Sequence, residues 1–567
     1  MLSLVLLLCL VSTSLSQEVL QNGDMESVTS GIPTGWGCNK CVSSATNMSH
    51  SGQSALLPSG RTARWQGPSH KIDVEPGKFY KASLWVRLVN DVSGEMFQSA
   101  KIVINVGLLD GTKTRLTVAR DRRIRVEDGW IQMKGDFTVP SNAKTTAKIT
   151  VNDFLPGVDF LVDDVSVQQL VEWTTWRQDT DVSITSLRTS KINVNVTLPD
   201  NIDRSDVRVV ILQKKKSYPF GMAINSDEYT QGEPKYRDFV NQHFNWAVTK
   251  NSLKWKIMER KQGERNYDRA FIPINTLKSH GIKVRGHNIV WGTTDQHVPD
   301  WVKPLYGDDL RQAVTTRVTD IVSKTRDMVE HWDVNNEILH GYFFEKRVNN
   351  ANYSLDIFSL AHQTAPNVKM FLNDYNVLSK SYSTGAYVTQ ALQFQAAGVG
   401  LYGIGAQCHF NDGTIPSPTI LKARLDTLAE VGLPIWVTEL SIVSDNYTKL
   451  ADMFETVLRV LYAHPAVEGI MFWGFWGPIH GYGEQAALVS GPEFTINAAG
   501  ERVLDLFENQ WMTRKYRKLS LFGDQFSVDG FHGDYLVKVT YQGQELVDKR
   551  TTFTLGSSPH TVTLSVP

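Results

Sequence analysis

The chain has 567 residues, too many for one ordinary domain. At roughly 100–200 residues per domain, three or four units are expected, or fewer if one is a large barrel. Hydrophobic residues make up 41% and charged residues 21%, which excludes a disordered chain. Lys+Arg number 58 against Asp+Glu 59, a formal net charge of -1, so neither nucleic acid nor an anionic membrane is expected as a partner.

The N-terminus reads MLSLVLLLCLVSTSLSQ. An apolar run from Leu4 to Val11 precedes the small residues Ser14 and Ser16, so residues 1–16 read as a secretory signal, cleaved near Gln17. The run is too short to span a bilayer, and no later run approaches about 20 apolar residues. The expected location is therefore extracellular. Of the four Cys, Cys9 leaves with the signal. Cys38 and Cys41 suit a local disulfide in an oxidising compartment, with two free thiols as the alternative. Cys408 sits in an apolar stretch and reads as a buried thiol. Sequons at Asn47, Asn195, Asn352 and Asn446 fit a secreted glycoprotein.

Residues 17–170 hold short alternating runs such as FYKASLWVRLV, AKIVINVGLLD, WIQMKGDFTV and DFLVDDVSV, divided by turn residues. That pattern predicts a β-sandwich. With NGDMES near its start and the closing DFLVDDVSV, the segment resembles the jelly-roll carbohydrate-binding modules attached to bacterial xylanases. Trp36, Trp65, Trp85 and Trp130 are the aromatics that could line a sugar groove or fill the core.

Residues 171–216 read as a linker followed by two strands, KINVNVTL and VRVVILQKK. Between residues 217 and 514 eight apolar runs alternate with helical patterns: FGMAIN, NWAVTK, KVRGHNIVW, VEHWDVNNE, VKMFLNDYN, LYGIGAQCH, PIWVTELSI and EGIMFWGFW. Eight strand–helix units are the arithmetic of an α/β fold of the (β/α)8 TIM barrel class. An open doubly wound sheet would need a Gly-rich first turn, which is absent. Residues 515–567 turn β again. Neither flanking β block can bury a face alone, so the two are expected to pair as one small sandwich.

Sites on such a barrel form at the C-terminal ends of its strands. Glu337 closes the fourth run and Glu439 the seventh. A retaining glycosidase needs two carboxyl groups about 5–5.5 Å apart, one ionised and one holding a proton. A salt-bridged barrel glutamate is the bland alternative for each. The other strand ends carry His287, Trp291, Asn336, Asn373, Asp374, Tyr375, Gln407, His409, Trp473 and Trp476. Amides and imidazoles suit sugar hydroxyls, and indoles suit ring faces. No cluster has metal-ligand spacing, no Gly-rich loop suits phosphate and no GxSxG turn occurs, so no metal or cofactor is expected.

From Tyr218 to Trp511 the motifs FGMAIN, FNWAVTKNSLKW, VRGHNIVWG, WDVNNE, FLNDYN, GIGAQCH, VTELSI and FWGFW resemble, in order, glycoside hydrolase family 10, the endo-β-1,4-xylanases. INAAGERVLDLFENQW and GFHGDY resemble its plant and animal branch. The resemblance implies Glu337 as general acid/base and Glu439 as nucleophile. It implies that Asn336 holds a 2-hydroxyl and that His409 keeps Glu439 ionised. His287, Trp291, Gln407 and Trp473 would line the cleavage subsite, and Asn251 and Lys254 the next sugar. Three positions depart from the microbial pattern: Lys250 replaces Glu, Gly292 replaces His and Ser441 replaces Asp. Gly292 is expected to open a cavity for the hydroxymethyl group that separates glucose from xylose.

The expected partner is therefore a β-1,4-linked polysaccharide, xylan first, cut by a monomeric enzyme. An endo-β-1,4-glucanase or dual enzyme on the same scaffold is the first rival. A catalytically silent carbohydrate-binding protein is the second.

Overall fold

The structure, a computed structural model, describes residues 17–566 apart from Ser93. The expected secretory signal and Cys9 lie outside the described residues. Two compact units emerge, one built chiefly from the residues before Thr175 and the other from those after it.

The N-terminal unit is a β-sandwich of two five-stranded antiparallel sheets. One runs in the order Trp130–Thr138, Phe79–Leu88, Phe160–Leu170, Ala55–Ser59, Val42–Thr46. The other runs Gly37–Cys38, Pro68–Asp73, Ala143–Asn152, Gln98–Leu108, Lys113–Ile124. Alternation explains it: along Phe79–Leu88, Tyr80, Ala82, Leu84, Val86 and Leu88 are buried while the residues between them face out. The buried set from both sheets forms one core with Ile102, Ile104, Ile149, Phe160 and Val162. Cys38 and Cys41 form a disulfide, and Cys408 is a buried free thiol.

The second unit centres on a closed barrel of eight parallel strands. They are β1 (Phe220–Ile224), β2 (Trp246–Thr249), β3 (Lys283–Trp291), β4 (His331–Asn336), β5 (Lys369–Asp374), β6 (Leu401–Asn411), β7 (Ile435–Val443) and β8 (Val467–Phe472). β1, β2 and β4 are buried at every residue, as expected for strands covered by helices outside and by one another inside. The barrel interior is filled by Ala223, Trp246, Val248, Phe371, Trp436, Met471 and Trp473. Bulky rings there make a packed core rather than a pore.

Strands flanking the barrel pair across the sequence. Thr189–Thr197 lies between Gln525–Phe531 and His560–Ser565, and Val207–Lys216 between Arg514–Lys518 and Gly533–Tyr541. Ile192, Val194, Val209, Ile211, Val537 and Leu564 form their shared core. The segment read as a linker is in part a helix, Trp176–Arg188, which buries Thr180 and Ile184.

Candidate active site

Glu337 directly follows β4. Its backbone lies at φ 61°, a left-handed conformation uncommon outside glycine. The turn is held because Glu337 N–H donates to the Asn373 carbonyl at 2.9 Å. The carboxylate accepts from the Trp291 indole at 2.8 Å on Oε2 and from the Gln407 amide at 3.2 Å on Oε1. Burial, then the negative charges of Asp374 and Glu439, push its pKa up to about 7, outweighing those two hydrogen bonds. Glu337 can therefore hold a proton near neutrality.

Glu439 lies within β7 and is 4% exposed. Burial alone would raise its pKa. The His409 hydrogen bond and the charges of His287, His409 and Lys254 outweigh burial and hold the carboxylate below its ordinary value. His409 Nε2 stands 3.3 Å from Oε2, His287 Nε2 stands 4.0 Å from Oε1, and Asn373 Nδ2 donates to Oε1 at 3.2 Å.

Asn373 ties the two sides together, because its Nδ2 also reaches Asn336 Oδ1 at 2.9 Å. Its side-chain oxygen Oδ1 accepts from Thr438 Oγ1 at 2.6 Å. Asn336 is fully buried, yet its Nδ2 has no partner among the described residues. A buried donor without an acceptor is costly, and a sugar hydroxyl would satisfy it.

The remaining expected residues gather at the same barrel end. Lys254 caps a short helix, Trp255–Met258, donates to Asn251 Oδ1 at 3.0 Å and places its ammonium 4.8 Å from the Trp291 ring and 5.9 Å from that of Trp473. His287 packs edge-on against Trp473 with ring centroids 5.3 Å apart. Glu337, Glu439, Asn251, Lys254, His287, Trp291, Asn336, Gln407, His409 and Trp473 thus all stand around one cleft.

Several supporting groups escaped the sequence reading. Asp333, inside β4, accepts from Arg285 Nη2 at 2.5 Å and meets His287 Nδ1 at 2.9 Å. His287 is thereby oriented by a buried carboxylate behind it. His297 stacks on Trp291 with centroids 3.8 Å apart. His340 contacts Asp374 at 2.6 Å and stacks on Tyr375. Asp333 could have been suspected, since a charged residue inside a strand expected to be buried needs a partner.

The departures from the microbial pattern take on definite geometry. Ser441 Oγ lies 3.2 Å from His409 Nδ1. A hydroxyl can either donate to that ring nitrogen or accept from it. A carboxylate in that place could only accept. The expectation for Gly292 is corrected: a Cβ there would meet the Asn335 amide at 2.5 Å, so the position faces a fully buried side chain and opens no cavity toward a substrate.

In the sandwich, Trp36 is core, 4% exposed, with its indole donating to the Asn22 carbonyl. Trp65 is 45% exposed, while Trp85 is stacked on His50 and Trp130 meets the same ring edge-on. A separate cavity of about 570 Å³ in the second unit lies at the N-terminal ends of the barrel strands, lined by Lys216, Lys283, Lys369, His331, Trp436 and Glu468; it shares no residue with the carboxylate cleft.

A parallel eight-stranded barrel with a glutamate of raised pKa just after its fourth strand and one of lowered pKa within its seventh has the equipment of a glycosidase that works through two carboxyl groups. Residues 210–478 match the model of Glycosyl hydrolase family 10, and residues 17–153 match a Carbohydrate binding domain. The barrel is a glycosyl hydrolase family 10 domain, and a carbohydrate-binding domain precedes it. The chain is 31% identical over 506 residues to endo-1,4-beta-xylanase 3 of Arabidopsis thaliana, covering 86% of this chain and 64% of that protein. It is 33% identical over 392 residues to an anti-sigma-I factor of Acetivibrio thermocellus, covering 69% of this chain and 50% of that protein. The chain thus spans between half and two thirds of the length of these relatives. Among solved structures, an intracellular xylanase of Thermoanaerobacterium saccharolyticum aligns with 54% of this chain and 100% of its own, at 23% identity and a TM-score of 0.47.

Proposed function

We propose that the chain is a secreted enzyme that hydrolyses xylan internally, with retention at the anomeric carbon. The observation that carries this reading is the opposite displacement of two facing glutamates, Glu337 upward to about 7 and Glu439 below its ordinary value. In the first step Glu439 attacks C1 while Glu337 gives its proton to the departing glycosidic oxygen. In the second, Glu337, now ionised, takes a proton from water, whose oxygen displaces Glu439 from C1. Asn336 Nδ2, without a partner in the protein, would bind the 2-hydroxyl of the reacting sugar. Trp473 and Trp291 would stack on the ring faces, and Trp65 would serve the binding domain in the same way.

The test is proton NMR of xylohexaose during hydrolysis. The expected first product is the β-anomer, which mutarotates later. Initial α-anomer, or no cleavage, would defeat the reading. A parallel reducing-sugar assay on xylan, carboxymethylcellulose and mixed-linkage glucan separates xylanase from glucanase. Secretion is checked by expressing the whole chain in a eukaryotic secretory host and sequencing the released protein, expected to begin near Gln17.

A further inference from the structure

The cleft contains two lysines whose surroundings differ. Both ammonium groups stand 5.9 Å from the centre of the Trp473 ring. Lys254 is occupied: it donates to Asn251, and the charges of both Glu439 and Glu337 act on it. Lys250, just beyond β2, donates its backbone N–H to the Ile224 carbonyl, but its ammonium has no hydrogen bond or ion pair among the described residues, and Glu439 acts on it only at a distance. Burial lowers its pKa, so the protein bears a cost for keeping this cation.

Lys254 adds only a like charge, and His480 and Gly481 offer Lys250 no counter-ion. His480 is driven down to about 4 by burial and then by the charge of Lys250, so it is neutral at working pH. Position 481 is a glycine, where even a Cβ would stand 3.3 Å from the Lys250 ammonium. Glu439 is already answered by His409, His287 and Lys254. An added anion beside Lys250 would therefore not face an unshielded carboxylate.

A neutral xylose chain brings hydroxyls alone to this cation. A carboxylate adds a full opposite charge, which attracts the ammonium in a way that no hydroxyl can. We propose that Lys250 is a specificity-determining residue that favours xylan carrying uronic-acid branches, with the branch carboxylate beside the Trp473 indole. This rests on the hydrolase reading above and names the substrate class within it.

The test compares kcat/KM on glucuronoxylan with kcat/KM on the same polymer after its uronic acids are reduced to alcohols. The two substrates differ only in the charged group. The whole wild-type chain is expected to favour the acidic form about fivefold to tenfold. Lys250→Met should bring the ratio close to one, and Lys250→Arg should keep most of the preference. High salt should shrink it in the wild type. Equal rates on the two polymers in the wild type, or an unchanged ratio in Lys250→Met, would overturn the inference. A wild type that cuts neither polymer defeats the hydrolase reading, not the choice between chains.

Discussion

At the end of β4, Glu337 meets two neutral donors, the Trp291 indole and the Gln407 amide, with Asp374 and Glu439 nearby as negative charges. In β7, Glu439 meets two imidazoles, one amide and the field of Lys254. Both are largely buried glutamates. One is displaced upward and the other downward, so burial alone does not decide protonation. What decides it is whether the partners stabilise the charge by more than burial removes. Asn373, hydrogen-bonded to Glu439 and to the residue before Glu337, keeps the two environments in register.

The comparison breaks most visibly on the Glu439 side. Glu439→Ala is expected to lower kcat by more than about 10⁴-fold, with azide restoring turnover and giving the inverted glycosyl azide. Unchanged activity would remove the proposed nucleophile. Glu337→Gln should cost about 10²–10⁴-fold, least on aryl glycosides whose leaving group needs no proton. It should also abolish the alkaline fall in kcat/KM.

The next effect is on stability. Asp333→Asn removes the carboxylate that faces Arg285 and His287 in the barrel interior. A buried cation left without its partner costs about 3–5 kcal/mol, to be read from urea unfolding of the whole chain. The pH profile sharpens the comparison further. Activity needs Glu337 protonated, and its raised pKa means that activity is lost as pH rises through about 7. It needs Glu439 ionised, and its lowered pKa means that the acid limb falls below the ordinary glutamate value of 4.5. The smallest expected change is Ser441→Asp. A carboxylate on His409 Nδ1 would keep that imidazole protonated and move the acid limb to still lower pH, by less than about one unit.

Much of this was legible in the sequence, for reasons that particular residues make plain. β1 and β2 are largely apolar runs because parallel strands are buried on both faces, and polar residues cluster where such runs end. That put Glu337, Asn336, Gln407 and Trp473 in view. The support behind them was not visible. The contact from Asp333 to His287 joins β4 to β3, and that from His297 to Trp291 joins a loop to a strand end. Neither leaves a local pattern. Gly292 was misread because a sequence says that a side chain is missing, not which way it would have pointed. Here the direction is toward Asn335. The helix Trp176–Arg188 was missed because its Thr- and Ser-rich composition has weak helix propensity.

The small β domain binds residues from both ends of the barrel's sequence into one object. Val207–Lys216 and Thr189–Thr197 precede the barrel, and every long strand they pair with follows it. Stopping translation or trimming the chain near residue 514 would spare each cleft residue but strip both earlier strands of their partners. Val194, Val207, Val209 and Ile211, all at 0% exposure, would then lie bare along open edges ready to pair with a neighbouring molecule. A shortened catalytic fragment that keeps these strands would therefore be chemically complete and colloidally fragile, failing by clumping rather than by losing its reaction.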